Sequence, residues 1–159
     1  MQMEKKTNIK VVRTREATLF EIATAFLLCC LWLYVLMLCL GKPQSVVSGL
    51  HILPDVRTKV ILAASASTVV SLLCLVAAYH PASMINAPFK IVKVRQYVPL
   101  MRLMRVLAVT FAAMSIAILR RLVDDGDQLH WGELLFALTK LVTFVAIVYY
   151  GVRSWMLRK

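Results

Sequence analysis

The stretch Ile22–Gly41, IATAFLLCCLWLYVLMLCLG, holds twenty residues without a charge. A bilayer hydrocarbon core of ~30 Å is crossed by ~20 apolar helical residues, so this stretch reads as one membrane-spanning helix. Three further runs repeat the pattern. Val60–Tyr79 is uncharged, Val106–Leu119 is uncharged but shorter, and Leu134–Val152 is broken once, by Lys140. The expected fold class is all-α: a four-helix transmembrane bundle in a single domain over residues 1–159, with spans at approximately 18–40, 57–79, 99–120 and 132–152.

Composition agrees. The 159 residues are 60% hydrophobic and 17% charged, against roughly 45–50% and 25% for soluble chains. The formal net charge is +11. On a soluble protein that excess would suggest nucleic acid. Here it lies in short segments flanking apolar runs, which is how a membrane protein sets its orientation and meets anionic lipid. No nucleic-acid partner is expected. The apolar part of the first run is longer than a signal peptide's h-region of ~7–15 residues, so it reads as a retained anchor helix.

Lysine and arginine divide unequally between the two ends of the spans. One side takes the basic arm at 1–16, the second connector with Lys90, Lys93, Arg95, Arg102 and Arg105, and the tail with Arg153, Arg158 and Lys159, together 13 of 19. The other side takes five: Lys42, Arg57, Lys59, Arg120 and Arg121. By the positive-inside rule the first side is cytoplasmic. Both termini are then cytoplasmic, as an even number of spans requires. The expected location is the cell (inner) membrane, multi-pass.

Local signals bound the helices. Gly41-Lys42-Pro43 ends the first, Pro54-Asp55 opens the second with Asp55 as N-cap, and His80-Pro81 ends it. Asn86-Ala87-Pro88 is turn chemistry. The third apolar run covers only 14 residues, ~21 Å. It spans if its helix begins near Tyr97 and both Arg102 and Arg105 snorkel back to the interface. Tyr149, Tyr150 and Trp155 make an aromatic belt at the far end of the fourth helix.

Few residues offer chemistry. Lys140 lies within a span, where a charge costs at least ~2.5 kcal/mol at the centre. It either snorkels to the outer interface, contacts a ligand or ion, or pairs with another helix. Glu21 lies one turn into the first helix, where Arg102 or Arg105 is the expected partner, with a proton-relay role as the alternative. Ala63, Ser67 and Ser71, and Ala108, Ala112, Ala113 and Ala117, have the small-residue spacing that lets membrane helices approach closely. The four cysteines lie inside apolar runs and read as reduced packing residues. His51, His80 and His130 show no metal spacing. Neither a catalytic set, a cofactor nor a metal is expected.

Several segments together resemble a known family. They are Arg13-Thr14, Glu21 and Leu31-Trp32-Leu33-Tyr34 in the first helix, then Tyr79-His80-Pro81, Asn86-Ala87-Pro88-Phe89, Arg95-Gln96-Tyr97 and Arg102-Leu103-Met104-Arg105. Over roughly residues 9–120 the chain resembles a bacterial membrane domain of unknown function, found also at the start of sporulation-delaying-protein immunity proteins. The family's first outer loop carries Pro-x-His-Phe and a Gly-Ser-Lys triplet. This chain has Pro43 followed by Gln44-Ser45-Val46-Val47, and Arg57-Thr58-Lys59 in place of the triplet, so recognition by that loop is altered or lost. The resemblance implies a non-enzymatic membrane protein of immunity or signal-relay type, binding a partner membrane protein or peptide. The alternative is a small transporter or channel subunit with Lys140 lining a polar path.

Overall fold

The computed structural model describes residues 14–40, 54–85, 94–123 and 131–157. These are nearly all helical: α1 (Arg15–Leu40), α2 (Pro54–Tyr79), the one-turn α3 (Pro81–Met84), a 3-10 turn (Val94–Gln96), α4 (Tyr97–Val123) and α5 (Trp131–Met156). Four of them, α1, α2, α4 and α5, are long and apolar enough to cross a membrane. The basic arm before Thr14, Lys90, Lys93, the acidic turn at Asp124–Asp127, His51, His130, Arg158 and Lys159 lie outside the described residues.

The boundaries follow from local chemistry. Thr14 caps α1 by accepting the amide of Ala17 on its Oγ1 at 3.3 Å, which satisfies one of the free amides of the first turn. Helix α2 begins at Pro54, whose fixed φ and missing N–H suit a first helical position. Asp55 therefore falls inside the first turn rather than before it. Helix α2 stops at Tyr79 because Pro81 cannot donate to its ladder. His80 leaves the helical region at φ −119°, ψ 57°, and Pro81 starts α3, a turn of helix where the sequence suggested only a connector. Helix α4 starts at Tyr97 and runs for 27 residues, so the short third apolar run is extended at its arginine end to a full crossing.

Packing centres on α4, which contacts α1, α2 and α5, while α1 also contacts α2. Two opposite stripes of α4 are buried. Arg105, Ala108, Ala112, Ser115 and Leu119 fall on one, Leu103, Thr110 and Ala117 on the other, as the 3.6-residue period requires of a helix with neighbours on both sides. The first stripe meets α1 and α2 in a cluster of Leu28, Leu31, Val35, Val60, Ala64, Ala112 and Leu119. Helix α1 turns inward at Ala17, Thr24, Leu28, Leu31 and Val35. Alternating steps of four and three mark a seam of the left-handed kind.

Helix α5 packs along α4 and buries one narrow stripe, Gly132, Thr139, Ala146 and Ser154. All four are small, which brings the two backbones close. Most of the rest of α5 is exposed, including Leu134, Leu138, Leu141, Phe144 and Val145, with Phe136, Thr143, Tyr150 and Gly151 half-buried. In water such surface would be untenable; in hydrocarbon it is ordinary.

Candidate functional site at the basic end of the helices

The beginning of α1, the end of α2, the beginning of α4 and the end of α5 come together, because successive spans run in opposite directions. Most of the polar side chains of the described residues gather here.

Arg102 pairs with Glu16 at 2.8 Å, joining α4 to the first turn of α1. Both groups are substantially exposed, so the pair is a modest tether. Of the two cations expected beside Glu21, Arg102 pairs with Glu16, and Arg105 lies over Tyr79, the residue that Glu21 also contacts. Glu21 accepts a hydrogen bond from the Tyr79 hydroxyl of α2. Arg105, 6% exposed, lies with its guanidinium carbon 5.7 Å from the centre of the Tyr79 ring. Tyr79 thus touches an anion with its hydroxyl and a cation with its ring. Burial of Arg105 is eased by that ring, whose face attracts a cation, although its Nε has no hydrogen-bond partner.

Gln96 and Ser154 form the second polar junction. The Gln96 side-chain amide donates to the Ser154 carbonyl at 3.3 Å, and the Ser154 hydroxyl donates to the Gln96 carbonyl at 3.0 Å. Both residues are fully buried. Beside them Arg153 donates to the Tyr149 hydroxyl at 3.0 Å and lies 5.9 Å from that ring. Arg95 is exposed on the 3-10 turn. Of the basic face expected from the sequence, the structure therefore brings Arg95, Arg102 and Arg105 to one end and adds Arg153, while Lys90 and Lys93 lie outside the described residues.

Further along the helices, polar side chains bond span to span. The Trp32 indole of α1 donates to the Thr68 hydroxyl of α2 at 3.1 Å, and that hydroxyl donates its own proton to the Ala64 carbonyl at 2.8 Å. Ser67 of α2 reaches the Phe111 carbonyl of α4 at 3.4 Å and shares a hydrogen bond with Ser115. These bonds form where Ala108 and Ala112 let α2 and α4 approach. The hydroxyl of Ser71, one turn on, is buried without a partner.

Lys140 stands apart. It is exposed on the outside of α5, and its amine lies 4.1 Å from the centre of the Phe136 ring, one turn back toward the end remote from Arg102. The Thr143 hydroxyl, one turn on, donates to the Thr139 carbonyl at 2.7 Å. Glu21 belongs to α1, which packs on α2 and α4, whereas Lys140 is on the exposed side of α5, which packs on α4. The four cysteines are free thiols. Among the described residues no three His, Cys, Asp or Glu side chains gather as a metal site.

Sequence reasoning missed Tyr79 as the partner of Glu21, the indole bond of Trp32, and the Gln96–Ser154 junction. None had a clear signal: the seven-residue recurrence of Gly132, Thr139 and Ala146 leads along α5 to Arg153, one residue short of Ser154.

The arrangement defines a multi-pass membrane protein. Comparison goes no further: no family model, curated protein or solved structure matches the chain.

Proposed function

We propose that the chain is a non-enzymatic membrane protein of immunity or signal-relay type. It acts by binding a partner membrane protein or peptide, with both termini and the basic end on the cytoplasmic side of the cell (inner) membrane. The observation that carries this reading is the division of labour among polar groups. Those between the spans, Trp32, Thr68, Ser67, Ser115, Gln96 and Ser154, bond one helix to another. Among the described residues more cationic groups lie at one end, where Arg95 and Arg153 are exposed, than at the other, which has Arg57, Lys59 and Arg120. A scaffold held rigid by its own polar contacts, with charge displayed at a surface, suits recognition. The resemblance to the immunity-protein domain points the same way.

The transport alternative draws no support from Lys140, which faces away from the other spans. The experiment is photocrosslinking from position 98, beside the exposed arginines, in native membranes, followed by purification. A single stoichiometric protein partner, lost on Arg95→Ala with Arg153→Ala, is the expected result. Ion or proton flux in proteoliposomes that depends on Glu21, with no partner captured, would replace this reading by transport.

A further inference from the structure

The start of α4 and the end of α5 enclose a cleft of about 230 Å³, walled by Arg95, Arg102, Arg153 and Tyr150 over a floor of Val98 and Pro99. Its three guanidiniums come from the 3-10 turn, α4 and α5. Among the described residues only Arg102 has a carboxylate partner, the exposed Glu16. Arg153 is steadied by Tyr149 at the rim. Almost all of the cleft's surface is apolar, so the arginines line it chiefly with their stems; three guanidiniums gathered at one cleft supply forked donors whose geometry matches phosphate.

Arg153 also closes one end of a second, shallow and open groove, lined by α5 alone, which runs past Val152, Val148 and Phe144. From Arg153 to Phe144 is ~13 Å of helix, close to the ~15 Å that one leaflet contributes to the ~30 Å core. A charged cleft opening at the interface into an apolar groove of leaflet length fits an amphiphile better than a free anion.

We propose that these two features form one binding site for an anionic phospholipid. Its phosphate is held by Arg95, Arg102 and Arg153, and one acyl chain lies along Phe144, Val148 and Val152. Such a lipid would cover part of the otherwise unpartnered face of α5 and bridge it to the start of α4. The site shares Arg95 and Arg153 with the partner-binding reading; a lipid titration of the purified chain, with no partner present, separates the two.

The test is native mass spectrometry of the purified, delipidated protein, titrated with phosphatidylglycerol or with phosphatidylcholine of the same chains. One phosphatidylglycerol should bind per chain in preference to phosphatidylcholine. Arg95→Gln and Arg153→Gln should each weaken it about five-fold, the value of one basic residue near anionic lipid. Val148→Trp, which fills the groove, should weaken it without touching the arginines. Arg57→Gln with Lys59→Gln, at the opposite end, should leave it unchanged. Equal binding of the two lipids, an equal loss in the Arg57 and Lys59 variant, or no effect of Val148→Trp would overturn the site. So would equally strong competition by glycerol phosphate, which has the anion but no chain.

Discussion

Gln96 and Ser154, 58 residues apart in the chain, each donate a side-chain hydrogen bond to the other's backbone carbonyl. The exchange ties the turn before α4 to the last turns of α5, the span with the fewest other neighbours. Interhelical hydrogen bonds in membranes average ~0.6 kcal/mol and reach ~1.7. Ser154→Ala should therefore cost ~0.5–1 kcal/mol. Gln96→Leu, which must also refill a fully buried site, should cost ~1–2 kcal/mol. The double variant should lose less than the sum of the two, because either loss loosens the same junction. Unfolding in mixed detergent measures all three; strict additivity would show that the two bonds act independently.

Glu21 accepts the Tyr79 hydroxyl, and an amide oxygen can do the same. Glu21→Gln should therefore cost under ~1 kcal/mol, while Glu21→Leu leaves the hydroxyl unsatisfied at that contact and should cost ~1–3 kcal/mol. Thermal unfolding in detergent separates the two. Equal effects of Gln and Leu would mean that the negative charge, not the hydrogen bond, matters at this position.

Ser67 and Ser71 are four residues apart on α2 and differ in one respect: Ser67 bonds to α4, whereas the buried Ser71 hydroxyl has no partner. Ser67→Ala should destabilise by ~0.5–1 kcal/mol. Ser71→Ala should be neutral or stabilising, since it removes a buried hydroxyl that pays desolvation without return. A loss on Ser71→Ala equal to that of Ser67→Ala would mean that Ser71 has a ligand or water.

The four crossings were legible because charge-free runs of this length have few other readings. The start of α4 at Tyr97 was legible because 14 apolar residues are too short to span alone. Small-residue spacing at Ser67, Ser71, Ala108 and Ala112 marked faces for close packing without pairing them; the structure sets α2 against α4 there. What could not be read was register. Whether Arg102 meets Glu16 or Glu21 is decided by a shift of about one turn between α1 and α4, and side-chain packing at Leu28, Leu31 and Ala112 sets that shift. Nor does the sequence reveal α4 as the hub, since its two arginines and short apolar run resemble a marginal span. They have a physical reason: the central helix has the least lipid to face, so it tolerates the most polar groups.

Orientation rests on the 13 basic residues assigned to one side. The described part of that side, Arg15, Arg95, Arg102, Arg105 and Arg153, lies at the ends of α1, α4 and α5 that come together. A reporter fused after Lys159 that is active only in the cytoplasm should therefore be active, and one that is active only outside should be silent. The reverse pattern would invert the map and place the phospholipid cleft in the outer leaflet.

Lys140 offers the sharpest test of place against role. Its amine rests over Phe136 on the exposed side of α5, one turn nearer the start of that helix, the direction in which a lysine in a span entered from that side snorkels. Its contact with the ring is worth ~0.5–1 kcal/mol at an exposed site. Leucine is favoured over lysine at a span centre by ~3 kcal/mol on insertion scales, and by less nearer the interface. Lys140→Leu should therefore leave the protein inserted and folded, with stability unchanged or raised. With Glu21 on α1 and Lys140 on the exposed side of α5, Glu21→Gln should have the same effect in either background. The measurement is thermal stability in detergent of both single variants and the double. A loss of ~3–5 kcal/mol on Lys140→Leu, of the size seen when one member of a buried ion pair is removed, together with rescue by Glu21→Gln, would require the two groups to meet. That result would refute the outward placement of Lys140 and revive transport as the function.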